Sequence, residues 1–367
     1  MDDEFEIFLV AAPGTEGLLA DEARTLGFDA VVPVPGGVTL RGRWPDVWRA
    51  NLHLRGAARV LARFASFRVM HLAQLDKRAH KLDWAALLRA ETPVRVEATC
   101  RKSKIYHAGA AAQRIETAIR ETVGCPIAKD AALVIKVRIE DDLCTISLDT
   151  SGEALHKRGH KEAVGKAPMR ENLAALFLRQ LGFDGTQTVV DPMCGSGTFV
   201  IEAAEIAAGL IPGRSRRFAF EDLANADPAA IAALRKGAAQ TPVARFYGFD
   251  RDQGAIGGAR KNAVRAGVAD CCSFERAAIS DLTPPANEAP GIVVVNPPWG
   301  ARIGERKQLF ALYGAMGRTL ADRFTGWRIG IVTPDGGLAK ASGLPLKAIG
   351  DPVDMGGTRI TLWATGP

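Results

Sequence analysis

The run Ile292-Val293-Val294-Val295 is apolar and β-branched at every position, so it has no solvent face. A strand of that kind belongs inside a sheet that helices cover on both sides, the parallel arrangement of α/β proteins. From Arg170 onward the rest of the chain obeys the same rule. Thr188–Asp191, Arg245–Asp250, Cys272–Arg276, Ile292–Asn296 and Trp327–Thr333 read as strands, and Arg359–Trp363 as a last short one. Thr198–Ala208, Gln253–Ala266 and Gln308–Arg323 read as the helices between them. The pattern predicts a Rossmann-like α/β fold on a mostly parallel sheet.

The first part of the chain has a different grammar. Phe5–Ala12, Ala30–Val34, Val38–Arg41 and Arg59–Val69 read as strands, with helices over Gly14–Leu26 and Trp44–Leu54. That βαββαβ order is ferredoxin-like. A second α+β unit follows, with helices over Leu72–Leu88 and Gly109–Val123 and a strand over Pro93–Thr99. Leu133–Ile139 and Leu143–Leu148 form a hairpin across Glu140-Asp141-Asp142. Residues 150–170 are polar and basic and read as a linker. A chain of 367 residues is long for one domain. We expect three parts, residues 1–70, 71–155 and 156–367.

Composition excludes several classes. No apolar stretch is long enough to span a bilayer, and the acidic start Met1-Asp2-Asp3-Glu4 lacks a signal-peptide charge pattern. The six cysteines contain no Cys-x-x-Cys pair, so no zinc site or disulfide framework is indicated, and a reduced cytoplasm is expected. The net charge is +6 and the pI about 9.1. The basic residues gather in loop-like sequence: Arg101, Lys102 and Lys104 beside Tyr106 and His107; Lys157, Arg158 and Lys161; Arg214, Arg216 and Arg217 beside Phe218. Each cluster suits nucleic-acid phosphates, and each also reads as a solvated face.

Two motifs carry chemistry. Asp191-Pro192-Met193-Cys194-Gly195-Ser196-Gly197-Thr198 is strand, glycine turn, helix start. Glycines there let a ligand approach the backbone, and the helix start offers free N–H groups. Val200 stands where a dinucleotide fingerprint needs its third glycine, and no Gly-Lys-Ser/Thr follows, so neither NAD nor a nucleoside triphosphate is indicated. The turn suits S-adenosylmethionine; a plain βα turn is the alternative. Asp250, at the end of a strand, offers two acceptors for ribose hydroxyls, or else caps the next helix, a role Asp252 also fits. Asp281 is placed to accept from an adenine amino group, or is a solvated loop acid. The second motif is Asn296-Pro297-Pro298-Trp299. An Asn amide oxygen and the Pro297 carbonyl accept the two hydrogens of a planar amine, so its lone pair turns toward a methyl donor, while the aromatic ring stacks on the base. An Asn-Pro turn ending a strand is the alternative.

With these residues in view, the chain resembles the THUMP-domain RNA methyltransferases, especially those forming N2-methylguanosine in ribosomal or transfer RNA. The likeness is carried by Lys166–Ala175, Asp191–Ala204, Gly209–Arg214, Phe218–Glu221 and Asn296–Gly300, and by Arg101–His107 and Asp149–Gly159 in the first half. The resemblance implies S-adenosylmethionine bound by Asn172 and by the Asp191–Thr198 turn, including Met193, Cys194, Gly195, Gly197 and Thr198, with Asp250 on the ribose. It implies a flipped-out guanine held by Asn296, Pro297, Pro298 and Trp299 and methylated in line. It implies a structured RNA partner. Trp299 stands where Tyr is commoner in that family. The sequence stops soon after Trp363, without the second methyltransferase half of the fused bacterial ribosomal enzymes, so ribosomal and transfer RNA both stand. Methylation of adenine N6 or of protein glutamine uses a similar motif, and a non-catalytic RNA-binding relative is a third reading.

Overall fold

A computed structural model describes residues 4–162, 169–300 and 306–366 and divides the chain into two compact units. The first unit comprises residues 1–10, 20–155 and 216–236; the second comprises 11–19, 156–215 and 237–367.

In the first unit seven strands line up in a single sheet. The strands are β1 (Phe5–Val10), β2 (Val32–Val34), β3 (Gly37–Gly42), β4 (Arg59–Arg68), β5 (Val94–Arg101), β6 (Leu133–Glu140) and β7 (Leu143–Asp149). Their order is β2-β3-β1-β4-β7-β6-β5. The expected boundary near residue 70 therefore follows a strand, β4, that pairs with β1 on one side and β7 on the other. The helices are α1 (Glu16–Thr25), of which residues 20–25 fall in this unit, α2 (Trp44–His53), α3 (Leu72–Ala79) and α4 (Ala108–Thr122). Asp141 and Asp142 turn the β6–β7 hairpin with φ of 49° and 62°, the left-handed conformations that a two-residue hairpin turn demands and short polar side chains tolerate.

Two expectations need correction here. The helix expected over Leu72–Leu88 ends at Ala79. There the Trp84 indole donates to the Ala79 carbonyl at 2.9 Å, and Trp84 is buried in the irregular turn that follows. The start of the supposed linker is not loose either. Thr150 and Ser151 are fully buried, and Asn51 bonds the side chains of both.

In the second unit, α5 (Glu171–Gln180) precedes β8 (Val189–Asp191), and α6 (Thr198–Ala207) follows it. A short helix α7 (Pro228–Leu234) lies in the segment that joins the first unit. Then come β9 (Phe246–Asp250), α8 (Gln253–Ala266), β10 (Cys272–Arg276), β11 (Ile292–Val295), α9 (Arg306–Arg323), β12 (Arg328–Thr333), α10 (Gly336–Ala341), β13 (Lys347–Met355) and β14 (Thr358–Ala364). The sheet order is β10-β9-β8-β11-β12-β14-β13. It is parallel from β10 to β12, and β14 pairs antiparallel with both β12 and β13. All four residues of β11 are buried, as an apolar run requires. Apolar clusters cover the sheet: Phe177, Phe199, Phe246 and Val294 belong to one, and Tyr313, Leu320, Val293 and Ile331 to another. Strand β13 escapes sequence reading because it is an edge strand, mostly exposed and interrupted by Gly350 and Pro352, so it carries no apolar period.

Candidate active site

In open α/β sheets ligands bind beyond the carboxyl ends of the strands, where the strand order reverses. Here that point is β8, with β9 and β11 on either side. Asp191 ends β8 level with Gly248 on β9. Val190 is level with Val293 on β11, so Asp191 is level with Val294. Asp250 and Asn296 therefore each lie two residues beyond that level, on the two flanking strands. With adjacent strands about 4.8 Å apart, three polar side chains share one edge of the sheet across about 10 Å.

The glycine turn is built around Asp191 and Asp250. The buried Asp191 carboxylate accepts from the Met193 N–H at 3.1 Å. Burial pushes its pKa up to about 8, the nearby Asp250 charge raises it too, and the Met193 bond opposes the rise. Asp250 accepts from the Gly195 N–H at 3.0 Å with one oxygen and from the Asp252 N–H at 2.9 Å with the other. Asp252 caps α8, accepting from Gly254 and Ala255. The cap and the strand-end acid are thus separate residues, and Asp250 serves the turn. Gly195 and Gly197 have φ of 51° and 82°. A Cβ at Gly195 would meet nothing within 4 Å, so open space faces the turn there, whereas a Cβ at Gly197 would stand 3.0 Å from the Phe274 ring. These glycines suit a close-lying cofactor at one position and close packing at the other.

Some expected cofactor residues turn away. Cys194 is buried, and its sulfur lies where a Cβ on Gly248 would come within 3.1 Å. Thr198 is buried, and its hydroxyl accepts from Lys161 at 2.9 Å. Both side chains are engaged within the protein. Asn172 is buried at the start of α5. Asp281 is exposed on a single 3-10 turn, bonded by Ser280. Of the motif leading to Asn172, residues Lys166, Ala167 and Pro168 lie outside the described residues.

Asn296 is half-buried just past β11. The Trp299 indole Nε1–H donates to its Oδ1 at 3.1 Å, and the ring packs against both apolar clusters. The buried Tyr313 of α9 donates to the Pro298 carbonyl at 3.4 Å. Pro297 is buried and Pro298 exposed.

The basic clusters divide sharply. In the first unit Arg101, Lys102, Lys104 and Tyr106 are exposed, Tyr106 by 84%. Their loop is firmly made: Asp142 accepts from the Lys104 N–H, Ser103 bonds both Asp142 and Arg101, and Lys102 has a φ of 46°. Lys157 and Arg217 are exposed too, the latter paired with Asp222. The other four are structural, which corrects their assignment to RNA. Arg158 is buried against Glu202 at 3.3 Å. Lys161 gives its three protons to the Met169 carbonyl at 2.8 Å, the Thr198 hydroxyl at 2.9 Å and Glu171 at 3.3 Å. Arg214 binds Glu205 and two carbonyls. Arg216 binds the carbonyls of Ser151, Glu153 and Ala154 and lies over the Phe218 ring. A guanidinium spent this way has no fork left for a phosphate. The overlooked signal was Glu202 and Glu205, acids in the otherwise apolar helix α6, which demand buried cations.

Sequence reasoning also missed the floor of the turn. A Cβ on Gly248 would lie 2.5 Å from Phe274; a glycine inside a strand signals such an approach. Asn262 of α8 donates to the Ser196 carbonyl at 3.0 Å. Among the described residues no cluster of His, Cys, Asp and Glu is arranged to hold a metal ion, and no helix is long and apolar enough to cross a membrane.

Comparison with known proteins agrees with the fold. Residues 158–344 match the RMKL-like methyltransferase domain family, and residues 6–61 match the RlmL ferredoxin-like domain. The ribosomal RNA large subunit methyltransferase K/L of Syntrophotalea carbinolica is 36% identical over 366 residues, covering 94% of this chain and 51% of that protein. The chain thus spans about half the length of the K/L relatives it matches. The Synechocystis sp. protein slr0064, provisionally named an RNA methyltransferase, is 30% identical over 97% of this chain and 95% of its own. The crystal structure of SMU.472, provisionally a methyltransferase and complexed with SAH, superposes with a TM-score of 0.85 at 28% identity, covering 99% of this chain and 98% of that one.

Proposed function

The chain belongs to the RMKL-like methyltransferase family, and we propose that it methylates the exocyclic N2 of a guanosine in structured ribosomal or transfer RNA. One observation carries the reading: the register that places Asp191, Asp250 and Asn296 along one edge of the sheet, two of them level on either side of the first. We take residues 1–70 as the ferredoxin-like part, 71–155 as a THUMP part and 156–367 as the methyltransferase part, with Arg101, Lys102, Lys104, Tyr106, Lys157 and Arg217 meeting RNA in the cytoplasm.

S-adenosylmethionine fits the residues present, because Gly195 faces open space and Asp250 ends its strand as a carboxylate with lone pairs to spare. That cofactor supplies an electrophilic methyl group on a sulfonium. The chain's part is placement. Asp250 holds the turn through the Gly195 N–H and offers its remaining lone pairs to ribose hydroxyls. Asn296 Oδ1 and the Pro297 carbonyl accept the two hydrogens of the target amine, so the nitrogen lone pair leaves ring conjugation and faces the methyl. Trp299 gives the base a surface to stack on. The bound cofactor would supply the methyl group and leave as the neutral thioether, and the methylated nitrogen would release one proton to solvent water. Positioning and preorganised acceptors do this with no strong base.

The test is single-turnover transfer of labelled methyl to total RNA, DNA and protein fractions from a strain lacking the gene, with mass-spectrometric mapping of the product. Label in N2-methylguanosine is expected. Asn296→Ala should slow the step about 100- to 1,000-fold with little change in half-saturation. Label in DNA adenine or protein glutamine, or near-normal turnover by Asn296→Ala, refutes the reading.

A further inference from the structure

An amide is an ambiguous group. One end accepts hydrogen bonds, the other donates, and the torsion that exchanges them is broad. For Asn296 the ambiguity matters, because an amine that must give up its hydrogens needs the oxygen end. The amide nitrogen pointed at that amine would oppose donor to donor.

The structure contains a device that removes the ambiguity. The indole Nε1–H is a donor only. At 3.1 Å from Oδ1 it selects the oxygen end of the Asn296 amide. The indole itself has little freedom, since its ring packs against both apolar clusters of the second unit. The buried Tyr313 steadies the preceding residue through the Pro298 carbonyl. A carbonyl oxygen has two lone pairs. The indole takes one, and the second stays free for the target.

Resting on the methyl-transfer reading above, we propose that Trp299 is a positioning residue: beyond presenting a stacking face, its indole N–H locks the Asn296 amide with its oxygen toward the target amine. An aromatic ring without an N–H at this place stacks equally well and locks nothing.

Trp299→Phe isolates the hydrogen bond, because it keeps a ring and removes the donor. The assay is single-turnover methyl transfer from labelled S-adenosylmethionine to total ribosomal and transfer RNA from a strain lacking the gene. A neutral hydrogen bond translates into a rate loss of about 3- to 10-fold. The RNA concentration for half-maximal rate and the affinity for S-adenosylhomocysteine should stay within about twofold, and the latter also certifies a folded site. A second background separates positioning from bulk structure. Asn296→Asp supplies a group with an acceptor at both ends, which needs no orienting. Adding Trp299→Phe to Asn296→Asp should cost less than about twofold, whereas a purely structural Trp299 costs the same factor in both backgrounds. Equal losses in the two backgrounds overturn the proposal. So does a Trp299→Phe enzyme as fast as the parent or faster, which would mean that the indole competes with the target for the oxygen. Either result with Asn296→Ala still inactive removes this inference alone; an active Asn296→Ala enzyme removes the reading beneath it.

Discussion

Replacing Asp250 tests the cofactor site most directly, because its two jobs are read by different measurements. The carboxylate accepts one backbone N–H from the glycine turn and one from Asp252. A hydrogen bond to a charged group is worth about 1.5–3 kcal/mol, so two set an upper bound of about 6 kcal/mol for Asp250→Ala. The site is half-buried and water can replace part of each bond. A loss of about 1–3 kcal/mol, with a Tm lower by about 2–4 °C for each, is the expected outcome. The ribose contact adds a separate loss that appears only on binding, again about 1.5–3 kcal/mol or 10- to 150-fold in affinity. Asp252→Ala is the control. It removes the α8 cap, costs about 1 kcal/mol, and should leave affinity within about twofold. Calorimetry with S-adenosylhomocysteine beside thermal scans of both variants measures all of this. An unchanged affinity in Asp250→Ala, or equal affinity losses in the two variants, would refute the assignment.

Three further outcomes follow from the same geometry. Lys161→Met should cost about 3–5 kcal/mol by stranding the Glu171 carboxylate; in chemical denaturation, adding Glu171→Gln should recover much of it, and a failure to recover argues against the pairing. Asp191 has its folded pKa raised to about 8, so it binds a proton on folding between about pH 4 and 8. Its contribution to stability is complete below the unfolded value and is lost as pH rises through about 8; Asp191→Asn should flatten that decline in denaturation midpoints, and an unaltered profile would refute the raised pKa. Alanine at Arg101, Lys102 and Lys104 should lower the salt slope of RNA binding by up to about 0.7–0.9 per lost phosphate contact, whereas Arg158→Met should lower Tm and leave the slope alone; the reverse pattern would overturn the division of the basic clusters.

The sequence alone determined most of the strands and which polar residues stand at their ends. An unbroken apolar run such as Ile292–Val295 admits one environment, and the Gly-x-Gly turn and the Asn-Pro-Pro-Trp tetrapeptide are patterns that local sequence displays, although the packing that needs Gly197 comes from distant Phe274. Asp250 was legible too as the residue that ends its strand. What the fold alone decided was the destiny of the charges. Arg101 and Arg158 look alike in sequence, yet one is exposed on a loop and the other is sealed against Glu202, 44 residues away. The edge strand β13, with no apolar period, and the union of the first two parts in one sheet were equally invisible. The indole–amide bond was hidden for a related reason, since spacing says that residues 296 and 299 are near but not which atoms meet. Backbone periodicity is set by neighbours in the chain. The partner of a long side chain is set by whatever packing brings within about 3 Å, and only the folded chain holds that information.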